Sequence, residues 1–232
     1  QSTRLAEHID RYTIREDAQP HVRDEQYVAL VLTPGAAKAL NLEWSDGDSL
    51  VSVEVSVGDV AGMAYQAPWL GDGSAVILAA RERAASLADE IAAVRLALKD
   101  KSSFHAQRTL IGFPWYGTDC DENNLPQEAD RDKQAISFTK GCYLGQETVA
   151  RLDALGQVQK KLVRWSIRGA IPAAGTTLTA SDKTVGRLTS VTAGGADDAV
   201  AIGMARRSHF EAGAIAEGIE SSTQQALVAR VM

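Results

Sequence analysis

The sequence contains few of the residues that define several protein classes. Among 232 residues there are two cysteines, Cys120 and Cys142, and four histidines. Two thiols separated by polar sequence do not form the disulfide framework of small secreted domains. No apolar run approaches the roughly 20 residues that a membrane-spanning helix needs, and the first residues lack the apolar stretch of a signal peptide. We therefore expect a cytoplasmic protein that does not bind membranes.

An excess of positive charge is also absent. The formal net charge is -6, which gives no overall attraction to nucleic acid or to an anionic membrane. We expect no stable binding of nucleic acid. The chain is 45% hydrophobic and 23% charged, which is typical of a folded protein with a substantial core in one or two domains.

Motifs for nucleotide phosphates and for metals are missing. Neither G-x-x-x-x-G-K-[ST] nor G-x-G-x-x-G occurs, so nucleotide binding has no support. The two thiols and four imidazoles are not paired at the spacing of zinc ligands. The chain alone predicts no metal site, although a site shared between two molecules through Cys142 stays open.

An acidic segment resembles a calcium loop only in part. Asp119, Asp121 and Asn123 alternate as calcium ligands do, but Asn124 stands where an EF-hand requires glycine. We reject the calcium site. The segment is expected to be a solvated acidic turn, with a carboxylate that faces a substrate as the alternative.

Hydrophobic periodicity predicts an α+β fold for the first two thirds of the chain. The pattern favours a helix over residues 81–98 and a long ordered loop over 114–134. The other expected helices cover residues 3–13, 36–40, 104–111 and 146–155, and the expected strands cover 21–23, 27–33, 49–57, 60–65 and 74–79.

The pattern of apolar residues and glycines changes near residue 158. Short β-like segments separated by glycines follow, at 162–167, 177–180, 185–191, 200–204 and 227–231. Such spacing predicts a small antiparallel barrel or sandwich. We expect two domains, an α+β domain over residues 1–158 and a β-barrel over 159–232.

The segment ISFTKGCYLGQETVAR, residues 136–151, concentrates reactive groups at one corner. It predicts a short strand over 136–138, a turn, and then a helix. Cys142 would lie just before this helix, where unpaired N–H groups, the helix dipole and Lys140 all favour the thiolate. The alternative is that Cys142 is a small buried apolar residue. The residues alone leave both interpretations open.

Two other groups of residues have open roles. Phe113, Trp115 and Tyr116 could stack on a heterocycle such as a pterin, or could close the core beneath the long loop. Basic side chains also cluster at the predicted domain edges, where a solvated face is the default and a polyglutamate tail or an RNA phosphate is the alternative. These residues are Lys160, Lys161, Arg164, Arg206 and Arg207.

The segment KGCY-L-GQE, residues 140–147, resembles the signature of the YgfZ family. These are folate-binding proteins of iron–sulfur cluster assembly or repair and of the tRNA modification that depends on it. Mitochondrial iron–sulfur assembly factors and, more distantly, the aminomethyltransferase (T-protein) of the glycine cleavage system are their relatives. The similarity extends to GFPWYGTD at 112–119, LPQEA at 125–129 and LAEHIDRYTIRED at 5–17.

The resemblance implies a fold, a cofactor and a set of site residues. It implies ferredoxin-like pseudo-repeat domains around a folate channel, with their N-terminal part missing from this chain, followed by a six-stranded barrel. It implies tetrahydrofolate or a one-carbon derivative as cofactor, and iron–sulfur enzymes or assembly proteins as partners. Cys142 would be the functional thiol, assisted by Lys140. The residues expected at the folate site or in its corner are Trp115, Tyr116, Tyr143, Gln146 and Glu147.

One position departs from the T-protein pattern. T-proteins carry R-x-E-x-G, whose carboxylate contacts the pterin, whereas this chain has Leu110 between Arg108 and Gly112. Leucine cannot accept hydrogen bonds from pterin N–H groups. The resemblance therefore favours the YgfZ branch, and turnover as a folate-dependent aminomethyltransferase or other one-carbon transferase is the alternative.

Overall fold

The chain forms two compact units in its computed structural model, residues 1–100 and residues 101–232. The predicted division into 1–158 and 159–232 stays a prediction. The structure describes residues 1–14, 17–42, 52–143, 145–155 and 158–232.

Among its described residues, the first unit contains a four-stranded antiparallel sheet and three α-helices. Its strands are β1 (Tyr27–Leu32), β2 (Ser52–Val57), β3 (Val60–Gln66) and β4 (Ala75–Ala80), and its helices are α1 (Ser2–Tyr12), α2 (Pro34–Ala39) and α3 (Ala84–Ala93). The strands lie in the order β1-β4-β3-β2. β4 is buried along most of its length, which explains its continuous apolar sequence.

Local sequence signals account for two connections in this unit. The Thr33 hydroxyl accepts a hydrogen bond from the Ala36 N–H at 3.3 Å, and Pro34 occupies the first turn of α2. Gly58 has a φ of 57°, which the tight turn between β2 and β3 requires. The predicted hairpin is confirmed from residue 52 onward, and residues 49–51 lie outside the described part.

The helix predicted over residues 81–98 is too long. Leu87 and Ile91 are buried in the core as predicted, but Leu98 is 51% exposed. Arg95 has a left-handed φ of 60°, and the next N–H donates back to the carbonyl of Ile91 at 3.1 Å. This closing turn ends the helix before the periodic apolar pattern ends.

The described part of the second unit contains three α-helices and a closed six-stranded barrel. No helix among the described residues of the chain combines the length and the apolar character needed to cross a membrane. The barrel strands follow the closed order β10-β5-β8-β7-β6-β9 and all neighbouring pairs are antiparallel. These elements are α4 (Lys101–Ile111), α5 (Asp132–Ala135), α6 (Gln146–Leu155), β5 (Lys160–Arg168), β6 (Thr177–Ala180), β7 (Lys183–Ala193), β8 (Asp198–Arg206), β9 (Ile215–Ile219) and β10 (Ala226–Val231).

The barrel interior follows from alternation along its strands. In β10, Leu227, Ala229 and Val231 are buried while the residues between them are exposed. Trp165 of β5 is fully buried in the same core. Side chains of alternate residues point to one face of a strand, so this pattern fills the barrel and solvates its exterior.

The α+β fold class with a C-terminal antiparallel barrel is confirmed, but two strand predictions were wrong and one strand was missed. Residues 21–23 and 136–138 form no strand. Residue 136 has extended dihedrals, yet an apolar or β-branched segment becomes a strand only where a neighbour completes its ladder. The sequence patterns also missed β9, whose central, exposed Glu217 and the following Gly218 weaken the apolar alternation.

The hydrogen bonds of Glu220, in the turn between β9 and β10, should make the stability of the protein depend on pH. Its carboxylate accepts hydrogen bonds from the N–H and hydroxyl groups of Ser222 and Thr223, at 2.6–3.0 Å. These bonds lower the pKa of Glu220 to about 2. Because the folded pKa lies below the unfolded one, the stabilisation is complete above about pH 4.5 and is lost as the pH falls toward 2.

Glu220→Gln should therefore reduce the free energy of unfolding at pH 7, and the difference from wild type should shrink below pH 4.5. Urea denaturation at several pH values between 3 and 7 measures both quantities. Glu217→Gln, an exposed carboxylate on β9, is the matched control and should change neither. A difference for Glu220→Gln that does not vary with pH would contradict this account.

Candidate functional site

The loop between α5 and α6 carries the predicted thiol. Cys142 is exposed and lies four residues before the first residue of α6. The Gln146 side-chain carbonyl accepts a hydrogen bond from the Tyr143 N–H at 3.4 Å. This bond ties the loop to the start of the helix, and the assignment of Gln146 to the folate site or its corner stays a prediction. The alternative interpretation, that Cys142 is a buried apolar residue, is wrong.

Lys140 lies beside the same loop but contacts an aromatic ring. Its ammonium is 4.7 Å from the centroid of the Tyr143 ring, within the range of a cation–π interaction. The Ser137 hydroxyl accepts from the Lys140 N–H at 3.2 Å. The structure therefore brings Lys140, Tyr143 and Gln146 together around the thiol's loop. The predicted effect of Lys140 on the Cys142 thiolate stays a prediction.

The Tyr143 hydroxyl has an unusual environment. The oxygen is buried, and no hydrogen bond to it is found within the described ranges. The side-chain carbonyl of Gln127 is also buried and accepts no hydrogen bond within the described ranges. The amide group of the same side chain donates to the Val149 carbonyl of α6 at 2.9 Å. Buried polar groups usually have partners. Such orphan atoms are where a bound ligand or water can complete the hydrogen bonding.

The LPQEA segment positions α6 and the start of the barrel. It forms a short 3-10 turn, Pro126–Ala129, that packs against α6 and β5. The buried carboxylate of Glu128 accepts from the Asn124 amide at 2.8 Å and lies 3.4 Å from the Lys160 ammonium. The side chains of Gln127 and Glu128 therefore connect the long loop to both neighbours. The thiol's loop is held at its helical end by this anchor.

Trp115 and Tyr116 occupy different environments. The Trp115 ring packs edge-on against Phe104 and His105 of α4, with centroids 5.1 and 5.8 Å away. Tyr116 is 44% exposed, and its hydroxyl donates to Glu122 at 3.1 Å. Trp115 thus helps to close the core beside α4, and Tyr116 presents its ring at the surface. Their assignment to a folate site stays a prediction.

Sequence reasoning missed a buried ion pair at the centre of this unit. Asp119, expected in a solvated turn, is 4% exposed and accepts from the Arg108 guanidinium at 2.6 Å. Arg108 is 1% exposed and also donates to the Phe113 carbonyl at 3.2 Å. Asp119 further accepts from the Trp115 N–H at 2.8 Å. The solvated-turn expectation was wrong for Asp119, because its charge is paired with that of α4.

A β-bulge in the barrel completes this ion pair. The register of β7 against β8 shifts between Leu188 and Ser190. Successive side chains of a regular strand point to opposite faces, but a bulge can bring two of them to one side. The hydroxyls of Thr189 and Ser190 both donate to Asp119, each at 2.6 Å. The pair therefore links α4 and the long loop to the barrel wall.

His105 adds to the polar cluster from α4. Its Nδ1 accepts from the Arg108 Nε at 2.8 Å. Burial, followed by the positive charges of Arg108 and Lys101, lowers the pKa of His105. The imidazole is therefore neutral at pH 7, as a ring nitrogen must be to accept a hydrogen bond from a guanidinium.

The rest of the acidic segment is a turn, as predicted. The Asp121 carboxylate accepts from the Asn123 N–H at 2.8 Å, and the Asn124 amide oxygen accepts from the Asp121 N–H at 3.0 Å. Both bonds are local side-chain-to-backbone contacts of the kind that stabilise turns. They explain the alternating acidic pattern without a calcium ion.

The second thiol differs from the first. Cys120 is half-buried, and burial, followed by the carboxylates of Asp119 and Asp121, raises its pKa. A raised pKa leaves the thiol protonated and a poor nucleophile at neutral pH. Of the two cysteines, Cys142 is the one placed to react or to bind a soft metal.

Comparison with known proteins gives three relationships. Residues 159–229 match the family model of the CAF17 C-terminal beta-barrel domain. The chain is 28% identical over 192 residues to "Iron-sulfur cluster assembly factor IBA57, mitochondrial" of Homo sapiens, which covers 79% of this chain and 49% of that protein. It is 46% identical over 52 residues to "tRNA-modifying protein YgfZ" of Colwellia psychrerythraea, which covers 22% of this chain and 16% of that protein.

A solved structure has the same fold. The glycine cleavage system aminomethyltransferase T from Bartonella henselae superposes with a TM-score of 0.80 at 15% identity, over 99% of this chain and 64% of that chain. The chain spans about half the length of human IBA57, and its match to the YgfZ protein covers 16% of that protein. The chain is therefore similar in sequence to IBA57 and YgfZ proteins, has the fold of aminomethyltransferase T, and ends in a barrel that matches the CAF17 C-terminal domain.

Proposed function

We propose that this chain acts in iron–sulfur cluster assembly or repair, binds tetrahydrofolate or a one-carbon derivative, and supports tRNA modification that depends on iron–sulfur enzymes. The observation that carries the proposal is the exposed Cys142, held before α6 on the KGCY-x-GQE loop. The relationship to IBA57 and YgfZ supports the assembly role. Iron–sulfur enzymes or assembly proteins are its proposed partners, and the cytoplasm is its proposed location.

Cys142 is proposed to present its sulfur to iron during this work. Thiolates are the usual protein ligands of iron–sulfur clusters, and an exposed sulfur is accessible to a cluster carried by another protein. Lys140 is proposed to favour the thiolate through its positive charge. Gln146 maintains the loop through its bond to the Tyr143 N–H, so that the sulfur keeps its position before α6.

The chemistry of several side chains in this unit supports the proposal of a reduced folate. A pterin ring carries several hydrogen-bond donors and acceptors, and the buried Tyr143 hydroxyl has both capacities and lacks a partner within the described residues. Exposed Tyr116 offers an aromatic face for stacking. Leu110, 37% exposed, cannot replace the T-protein carboxylate. Tetrahydrofolate would supply one-carbon chemistry when bound, and the proposed contribution of Trp115, Tyr116, Tyr143, Gln146 and Glu147 is binding and orientation.

Calorimetric titration of the full-length protein with tetrahydrofolate tests the proposal. We expect saturable binding, accompanied by a change in the emission of Trp115. Tyr143→Phe removes one buried hydrogen-bonding group and should weaken binding about threefold to tenfold. Tyr27→Phe, at an exposed position of β1, is the matched control and should bind like wild type. Absence of both heat and emission change would reject the folate claim.

A further inference from the structure

The second unit contains a cavity that the proposed function does not use. Its volume is about 220 Å³, and it lies between the long loop, β5 and the end of β10. Cys142, Tyr143, Trp115 and Tyr116 do not line it. Its walls are formed by Ile111, Gly112, Pro114, Ala129, Asp130, Arg131, Lys161, Leu162, Val163, Arg164, Ile202, Phe210, Val231 and Met232.

The composition of the walls is amphipathic. Apolar side chains such as Ile111, Phe210 and Met232 contribute one part of the lining and can contact a compact apolar group, while the larger part of the exposed surface is polar. The volume is smaller than the roughly 300–1,000 Å³ typical of sites for drug-sized molecules. The cavity therefore suits a small ligand.

Three cationic side chains line the same cavity, and contacts hold each of them there. The Lys161 ammonium is 5.1 Å from the Phe210 ring centroid. The Arg131 guanidinium is 4.7 Å from the Phe113 ring centroid, a contact that leaves its N–H groups available, and no hydrogen bond to them is found in the described ranges. Aromatic faces thus position two cations without neutralising their charge.

Arg164 is positioned by the end of α4. Its guanidinium donates to the Leu110 carbonyl at 3.0 Å. Gly112 has a φ of 81°, and a Cβ at this glycine would lie 3.3 Å from the Arg164 Cδ. The glycine lets the stem of Arg164 cross the end of the helix closely. One N–H of the guanidinium donates to this carbonyl, and the other four N–H groups of the side chain are further donors.

The positive charge of the cavity is only partly balanced. Asp130 is the one carboxylate side chain among the lining residues, and it lies 3.2 Å from the Lys161 ammonium. Its side chain is 57% exposed, so this pair is screened by solvent and contributes little. The three cationic side chains therefore meet two carboxylates in the lining, that of Asp130 and the terminal carboxylate of Met232, which leaves a small local excess of positive charge in a chain whose formal net charge is -6.

We propose that this cavity is a binding site for a small organic anion, with a carboxylate or phosphate attached to a compact apolar group. The anionic group would bind between Arg131, Lys161 and Arg164, displacing Asp130 from the Lys161 ammonium. The apolar group would pack against Phe210 and Ile111. Charge-assisted hydrogen bonds give such a site its selectivity for anions. This inference does not depend on the proposed folate site.

Amide NMR of the full-length protein, titrated with three probes of similar size, tests the site. Phenyl phosphate and benzoate carry the two possible anionic groups, and benzyl alcohol is the neutral control. We expect at least one anion to saturate with a Kd of about 1 mM or tighter, with shifts centred on Gly112, Arg131 and Leu162. The tighter of the two anions identifies the preferred group. Equal binding of benzyl alcohol, or no saturable shift for either anion, would overturn the proposal.

Two substitutions and a control locate the charge that binds. Lys161→Gln should weaken anion binding about tenfold, since a hydrogen bond to a charged group is lost. Asp130→Asn should tighten it about threefold by removing the competing carboxylate, and asparagine tolerates the left-handed φ of 55° at this position. Lys183→Gln removes an exposed charge of β7 that does not line the cavity, and it should leave binding unchanged. A larger effect of Lys183→Gln than of Lys161→Gln would contradict the assignment.

Discussion

Replacing Asp119 with alanine is expected to lower the free energy of unfolding by about 3–5 kcal/mol, because the variant leaves a buried charge without its partner. Arg108 is 1% exposed and would keep only the His105, Phe113 and Ser190 contacts. None of these carries a negative charge at pH 7. Urea denaturation followed by tryptophan fluorescence measures the change.

Two further variants separate this ion pair from its surroundings. Asp121→Asn keeps the side-chain oxygen that the turn uses and lies on the exposed side of the segment, so its effect should stay within about 0.5 kcal/mol. Combining Arg108→Met with Asp119→Leu removes both charges and should recover most of the loss. A loss below about 1 kcal/mol for Asp119→Ala would contradict the structural role of the pair.

Replacing Cys142 with alanine is expected to abolish support for iron–sulfur enzymes without unfolding the protein. Mutation of groups that merely orient a metal ligand costs about 10–100-fold in affinity or activity, so removal of the sulfur that we propose as a ligand should cost at least about tenfold. Because Cys142 is exposed, the free energy of unfolding should change by less than about 0.5 kcal/mol. The activity of an iron–sulfur-dependent tRNA-modifying enzyme, in cells that rely on the variant, provides the measurement.

Cys120→Ala is the matched control, since its half-buried thiol has a raised pKa and no proposed role. Cells with this variant should retain the enzyme activity, apart from a modest decrease in protein stability.

The two candidate functions predict different results for Cys142→Ala. An aminomethyltransferase of the T-protein type should keep its turnover without Cys142, so full activity of Cys142→Ala would favour that alternative and contradict a thiol-dependent assembly role.

Much of the fold could be predicted from the sequence because local signals agreed with the tertiary structure. The apolar run of β1, the Gly58 turn and the helical spacing of α6 each indicate one conformation. The exceptions have identifiable causes. The predicted strand at 136–138 has no neighbour to complete a ladder, and β9 is held in the barrel by its neighbours despite a weak apolar pattern.

Some residues of the candidate site could likewise be predicted from the sequence, and others could not. Cys142 and Gln146 could be found because the signature is contiguous, and its residues meet within one loop. Asp119 could not, because its partners Arg108 and Ser190 lie 11 and 71 residues away along the chain. The β-bulge directs two consecutive hydroxyls toward one carboxylate, and such a bulge cannot be recognised from the period-2 pattern of the strand.

The most direct test of the account is the rate at which iodoacetamide alkylates Cys142 in the full-length protein, with and without saturating tetrahydrofolate. Mass spectrometry of the two cysteine peptides reports each thiol separately. We expect Cys142 to react faster than Cys120, and tetrahydrofolate to slow the reaction of Cys142 severalfold while leaving Cys120 unchanged. A Cys142 rate that stays the same when calorimetry shows the protein saturated with folate would contradict an open thiol beside the folate site.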